Sequence, residues 1–223
     1  MRSAESRWSV LTSLNRIIKG CVGAVIVLGA VSCGSVPPTN YYALRVPPPP
    51  PAAEAPRTAA VLGIERFSAP EALRNDRLVF YSSPNQVGFY DHHRWVADPA
   101  SMLRDDVAQR VRQAGLFADV QLLPARSESN YYLRGRVLHF EEVDYEGGVS
   151  GRAGLELTLV RGSDRQVVWS GSKLAKSGAA GQAHAAVVEA LNAASDQVLG
   201  ELLPLLLAKA EEDLKQHAKT TAE

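Results

Sequence analysis

Few residues in this chain have the types and spacing to do chemistry. Asp91-His92-His93 sets a carboxylate beside two imidazoles, the donors a divalent metal takes. No His-Glu-x-x-His spacing and no cysteine accompanies them. Neighbours on a strand point to opposite faces, so His92 and His93 do not converge readily, and the triplet reads as a solvated hairpin end. His139 stands alone in a strand pattern. Glu141, Glu142, Asp144 and Glu146 could bind a cation weakly, but they read better as the polar face and end of an edge strand. Residues 147–154, "GGVSGRAG", have the glycine content of a phosphate cradle. They lack the Lys-Ser/Thr of a P-loop and do not open a helix, so they read as a flexible hairpin loop. No Gly-x-Ser-x-Gly nucleophile elbow occurs. The expectation is a protein that is not an enzyme, with no catalytic residue, no cofactor and no metal site.

The remaining reactive residue is Cys33. An apolar run from Cys21 to Val31 follows Arg2, Arg7, Arg16 and Lys19. It is too short to cross a bilayer, which takes roughly 20 apolar residues. A basic start, a short apolar stretch and a small-residue exit are the order of a secretory signal. The exit, Ala30-Val31-Ser32-Cys33, resembles the lipobox of bacterial lipoproteins, with Ala30 where leucine is usual. Cys33 is then the lipid attachment site and the first residue of the mature chain. Cys21 leaves with the signal, so no free thiol and no disulfide remain, a composition suited to an oxidising compartment. The mature chain keeps 20 basic against 23 acidic residues, too weak a field to favour nucleic acid. Gly34 stands where an aspartate would hold a lipoprotein in the inner membrane. The expected location is therefore the outer membrane, facing the periplasm.

The elements that must position these residues follow from periodicity. Tyr41 to Val46 could be a short strand. Residues 47–51 are five consecutive prolines, which favour polyproline II, and read as a semi-rigid tether rather than a docking motif. "TAAVLGIERF" reads as a strand. "RLVFYSS" and "VGFYDHH" around Pro84-Asn85 predict a hairpin. Asp98 as N-cap and Pro99 at the first position start a helix, with Leu103, Val107 and Val111 on its apolar stripe and Gly115 as its stop. Leu155, Leu157 and Leu159 alternate with polar or β-branched neighbours as in a half-buried strand. From Gln182 to Leu203 a second helix shows Val187, Val188, Leu191, Ala194, Val198 and Leu202 on one face, with Pro204 set to kink or end it. Beyond Glu211 the tail is polar and expected to fray. The predicted organisation is a signal over 1–32, a lipidated N-terminus and Pro-rich tether over 33–56, one α+β domain over 57–210 and a tail over 211–223. The sheet is expected to be mostly antiparallel, packed by a central helix and a long C-terminal helix.

The order of these pieces resembles the ABC-type transport auxiliary lipoproteins, the PqiC-like group. The matching residues are "YYAL", Ile64, Pro70, Leu73-Arg74, Arg77-Leu78-Val79-Phe80-Tyr81, Trp95, Met102-Leu103 and "YYLRGRVLHFE". The chain departs from the family at Trp95-Val96-Ala97-Asp98-Pro99-Ala100 and in its longer proline run. The resemblance implies an accessory lipoprotein that docks on a periplasmic MCE-type subunit and its ABC permease and ATPase, which move phospholipid or other hydrophobic cargo. It also implies a homo-oligomeric ring and action by bridging, not catalysis. A structural or secretion-related outer-membrane lipoprotein is the competing reading. A lipid-modifying enzyme would need a nucleophile or metal site that the sequence does not offer.

Overall fold

The segment "YYLRGRVLHFEEV" is the spine of the fold. In the computed structural model, which describes residues 37–45, 57–125 and 128–220, the strands form one mixed sheet. They are β1 (Asn40–Tyr42), β2 (Val61–Ile64), β3 (Arg77–Ser83), β4 (Gln86–Trp95), β5 (Asp119–Leu122), β6 (Tyr131–Val143), β7 (Ser150–Arg161) and β8 (Val167–Gly178). Two helices, α1 (Pro99–Gln113) and α2 (His184–Thr220), pack on it. β6 pairs antiparallel with β7, and β7 with β8, over nearly their whole lengths. The other edge of β6 is shared. β2 runs parallel to its start, Ser68 bridges Arg136, and β3 runs parallel to its end. β5 extends the sheet beyond β2; β4 and then β1 extend it beyond β3. The long ladders are antiparallel and the short ones parallel, so the α+β reading holds. β6 is an interior strand, however, and the edge-strand reading of its acidic end is wrong.

Local chemistry sets the helices. The Asp98 carboxylate accepts from the Ser101 N–H at 3.0 Å and Pro99 follows as the first helical residue. Leu103, Val107 and Val111 are buried as their spacing predicts, and Gly115, at φ 63°, closes the helix in the left-handed region that glycine takes without strain. α2 neither ends at Pro204 nor frays at Glu211; it runs on to Thr220. Pro204 and Gly200, the residue whose carbonyl loses its i+4 donor, are both exposed, so water can satisfy that carbonyl. Leu202, Leu203, Leu206 and Ala210 stay buried on the other face and hold the helix through the break.

Glycine does its work where the sequence seemed loosest. Residues 150–154 belong to β7, not to a hairpin loop; only the turn before Ser150 is irregular. A Cβ on Gly151 would lie 2.5 Å from the Leu191 nitrogen and 2.7 Å from the Ala190 carbonyl carbon. The missing side chain lets the backbone of α2 rest on the sheet.

The proline run, expected as a tether, lies outside the described residues; the chain is fixed to the body on both sides of it. Before it, β1 pairs in parallel with β4, and the Arg45 N–H donates to Asn192 Oδ1 at 2.7 Å. After it, the Arg57 N–H donates to the Gly115 carbonyl at 2.9 Å. Residues 47–51 lie in sequence between these two docked segments.

Candidate functional site

β1 is held by an aromatic and imidazole latch. The Tyr42 hydroxyl lies 2.9 Å from His93 Nδ1, and the two rings stack at 5.9 Å. The His93 ring lies face to face on His184, the first residue of α2, at 3.6 Å and 9°. Tyr90 meets His184 edge-on at 4.5 Å, and its hydroxyl donates to Glu142 Oε2 at 3.0 Å. Beside the latch the Arg45 guanidinium pairs with Glu189, and the Val96 N–H donates to the Tyr42 carbonyl at 2.8 Å. Three elements distant in sequence thus converge: β1, the far half of β4 and the start of α2.

The electrostatics follow from packing. Burial lowers the His93 pKa, and His184 and His92 lower it further, so His93 is held neutral near neutral pH. Burial pushes the Glu142 carboxyl up against the Tyr90 hydrogen bond, and Asp144 adds to the rise. Tyr90 is raised by burial and by Glu142. Two imidazoles stacked face to face cannot aim nitrogens at one ion. Among the described residues no group of three or more His, Cys, Asp or Glu is arranged to hold a metal. The arrangement can fasten a strand, with its grip tied to the neutral imidazole.

The candidate residues fall apart accordingly. Asp91, His92 and His93 lie within β4, away from the Pro84-Asn85 turn, so the solvated-hairpin-end reading fails for His93. His139 is not alone: its Nδ1 lies 2.8 Å from Glu141 Oε1. Glu141 is buried and also accepts from Arg152 Nε at 2.7 Å and from the Phe140 N–H at 2.6 Å. Glu142, next to it on β6, is also buried but serves Tyr90. Successive side chains leave a strand on opposite faces, so the two carboxylates do not form a site together. Glu146 pairs with Lys176. Tyr42, Tyr90 and His184 were missed, because only a parallel β1–β4 pairing and the seating of α2 bring them together. Cys33, the expected attachment site, lies outside the described residues.

Comparison with known proteins bears on the whole of this body. The family model described as ABC-type transport auxiliary lipoprotein component matches residues 42–202. No curated protein matches the chain. The crystal structure of protein XCC0632 from Xanthomonas campestris is 25% identical and superposes with a TM-score of 0.70, over 79% of this chain and 99% of that one. An uncharacterised protein at 15% identity gives 0.58 over 76% and 99%, a likeness of fold. A PelC dodecamer from Paraburkholderia phytofirmans gives 0.40 at 16% identity over 66% and 91%, too loose to bear on assembly.

Proposed function

Because the chain belongs to the family of ABC-type transport auxiliary lipoprotein components, we propose that it is the lipid-anchored accessory of an MCE-type ABC system moving phospholipid or other hydrophobic cargo. It acts by docking, not by catalysis. The observation that carries this reading is the family match, which runs from the latch residue Tyr42 to Leu202 in α2 and so takes in most of the sheet and the seating of α2.

Cys33 carries the lipid, and Gly34 sends the protein to the outer membrane. Each buried CH₂ contributes roughly 0.8 kcal/mol, and two or more chains make the anchor stable. Only residues 34–39 separate Cys33 from β1, a reach of about 24 Å when fully extended. The body therefore works close to its membrane, and the MCE-type subunit must come to it. Copies of the chain assemble into a ring around that subunit.

The test is affinity capture from detergent-solubilised envelopes followed by mass spectrometry. Recovery of an MCE-domain subunit with its permease and ATPase supports the reading. Recovery of an export pore in their place favours a secretion-related lipoprotein. Cys33→Ser should abolish lipid labelling and leave precursor; a mature wild-type chain starting at any other residue refutes the anchor.

A further inference from the structure

Three connections meet at one end of the sheet. β3 and β6 run parallel toward it, and β4 and β7 start back from it, so the β3–β4 turn at Pro84-Asn85 and the β6–β7 turn at residues 144–149 both lie there. β8 ends at the same level, with Gly178 opposite Ser150, and residues 179–183 lead on to α2. β1 is parallel to β4, so Thr39 enters β1 from this side too. From His93, the partner of Asn40, back to Gln86 is seven residues of β4, about 23 Å. The β3–β4 turn thus reaches past Asn40 about as far as the stretch from Cys33 to Asn40 can extend, about 24 Å.

Charge is distributed unequally between the two ends. No charged residue stands between Arg77 and Asp91, and none between Lys176 and Glu189 apart from His184, whose ring is stacked on His93. Pro84, Asn85, Gln86, Ala180, Gln182 and Ala183 are exposed, and Val87 is 42% exposed beside Tyr81, its cross-strand partner. At the β6–β7 turn Glu146 pairs with Lys176, which leaves Asp144 as the carboxylate without an ion pair in these three connections. The opposite end is dense in charge. Glu128 precedes β6, Asp164 and Arg165 form the β7–β8 turn, and Glu211, Glu212 and Lys215 stand in the last turns of α2.

We infer that the neutral end is a membrane-contact face, lying on the headgroup layer of the bilayer that holds the lipid of Cys33. The inference rests on that anchor. So short a tether keeps the body beside the membrane, and the charge pattern selects the end that meets it. A charge that leaves water unpaired costs free energy, whereas Ser, Asn, Gln, Ala and Pro at the tips of these connections carry none. Val87 adds apolar surface, and Tyr81 adds a ring with a hydroxyl, a side chain that settles at membrane interfaces. A weak contact suffices, because tethering gives it an effective concentration on the order of millimolar. The body then stands end-on, with its strands rising from the membrane and its charged end away from it.

The test uses the full mature lipoprotein on phosphatidylcholine vesicles, with a fluorophore on a single added cysteine. Asn85→Cys and Ala180→Cys place it at the neutral end, and Ser163→Cys at the charged end. With Cys33 lipidated, the mature chain has no other thiol to label. Phosphatidylcholine bearing a nitroxide on its headgroup should quench the first two labels at least twofold more than the third. Val87→Glu should cut quenching of the Ala180→Cys label at least twofold with no change in melting midpoint. Gln182→Glu should do the same to the Asn85→Cys label, so a folding failure of one charge variant leaves the other. Equal quenching at the two ends overturns the inference, as does quenching that neither charge variant alters. A neutral-end label shielded from iodide yet untouched by nitroxide lipid also overturns it, since a second copy or another protein then covers that end. The intact mass separates the failures: lipid on the chain with equal quenching removes only the contact face, and a chain without lipid removes the anchor and the contact face together.

Discussion

Replacing Asp213 with alanine should loosen the end of α2 and lower the stability of the whole body. The Asp213 carboxylate is buried and accepts from the Tyr131 hydroxyl at 2.7 Å and from Arg161 through Nε at 3.0 Å and Nη2 at 2.5 Å. After truncation Arg161 keeps Asp164 and some water, so it is not stranded. The Tyr131 hydroxyl is stranded, at about 1–3 kcal/mol for an unpaired buried donor. Charge-assisted bonds contribute about 1.5–3 kcal/mol each, part of which Arg161 recovers elsewhere. A net loss of about 3 kcal/mol follows, and at 2–4 °C per kcal/mol for a domain of this size the melting midpoint falls by about 6–12 °C. Asp213→Asn, which still accepts from Tyr131, should lose about half as much. The pH dependence has a definite sign. Burial pushes the Asp213 carboxyl up, but Arg161 and Tyr131 outweigh it and leave it below the usual carboxylate range. Its contribution is therefore complete above pH ~4 and is lost as pH falls through the depressed folded value. Thermal melts of the three proteins across pH, with hydrogen exchange over residues 211–217, check this. A shift under 1 °C for the alanine variant, with unchanged exchange, would mean that this turn is not docked.

The remaining predictions concern the latch, the glycine seat and the helix start. His93→Ala should free the Tyr42 hydroxyl and raise exchange at the Val96 amide, while His92→Ala does neither. Because the folded His93 pKa is lowered, the latch is at full strength above pH ~6.5 and weakens as pH falls below it, a trend that His93→Ala should remove from the exchange profile. Gly151→Val forces a side chain into the α2 backbone and should cost about 1–3 kcal/mol or more in denaturant titration. Asp98→Ala should cost about 1 kcal/mol by the same measurement through its lost cap. Replacing residues 47–51 with a Gly-Ser stretch of equal length should leave detergent resistance of the envelope at wild-type level, at matched protein amounts; a sensitive strain would restore a role for proline stiffness.

What could be read from the sequence was what is local. Asp98-Pro99, the Leu103–Val107–Val111 stripe and the Leu155–Leu157–Leu159 alternation each specify an element from within a few residues, and each is in place. What could not be read was pairing. Tyr42 finds His93 51 positions on, Tyr131 finds Asp213 across 82, and Arg45 finds Asn192 across 147. No periodicity announces such partners, so acids on β6 looked solvated when they were buried and paired. Gly151 looked like loop punctuation for the same reason, since its meaning lies in a helix forty residues later. Pro204 looked like a stop because the apolar contacts that override it belong to the sheet beneath.

The direction of β1 has a mechanical consequence. A pull through the chain ahead of Asn40 enters the body at that residue, and along the strand axis it loads β1 in shear. The β1–β4 ladder, the Tyr42–His93 contact and the Arg45 bonds to Asn192 and Glu189 then carry the force together, not one after another. A pull across the strand would instead peel these contacts singly, starting with the Asn40–His93 pair. The attachment resists dragging along the sheet more strongly than lifting away from it.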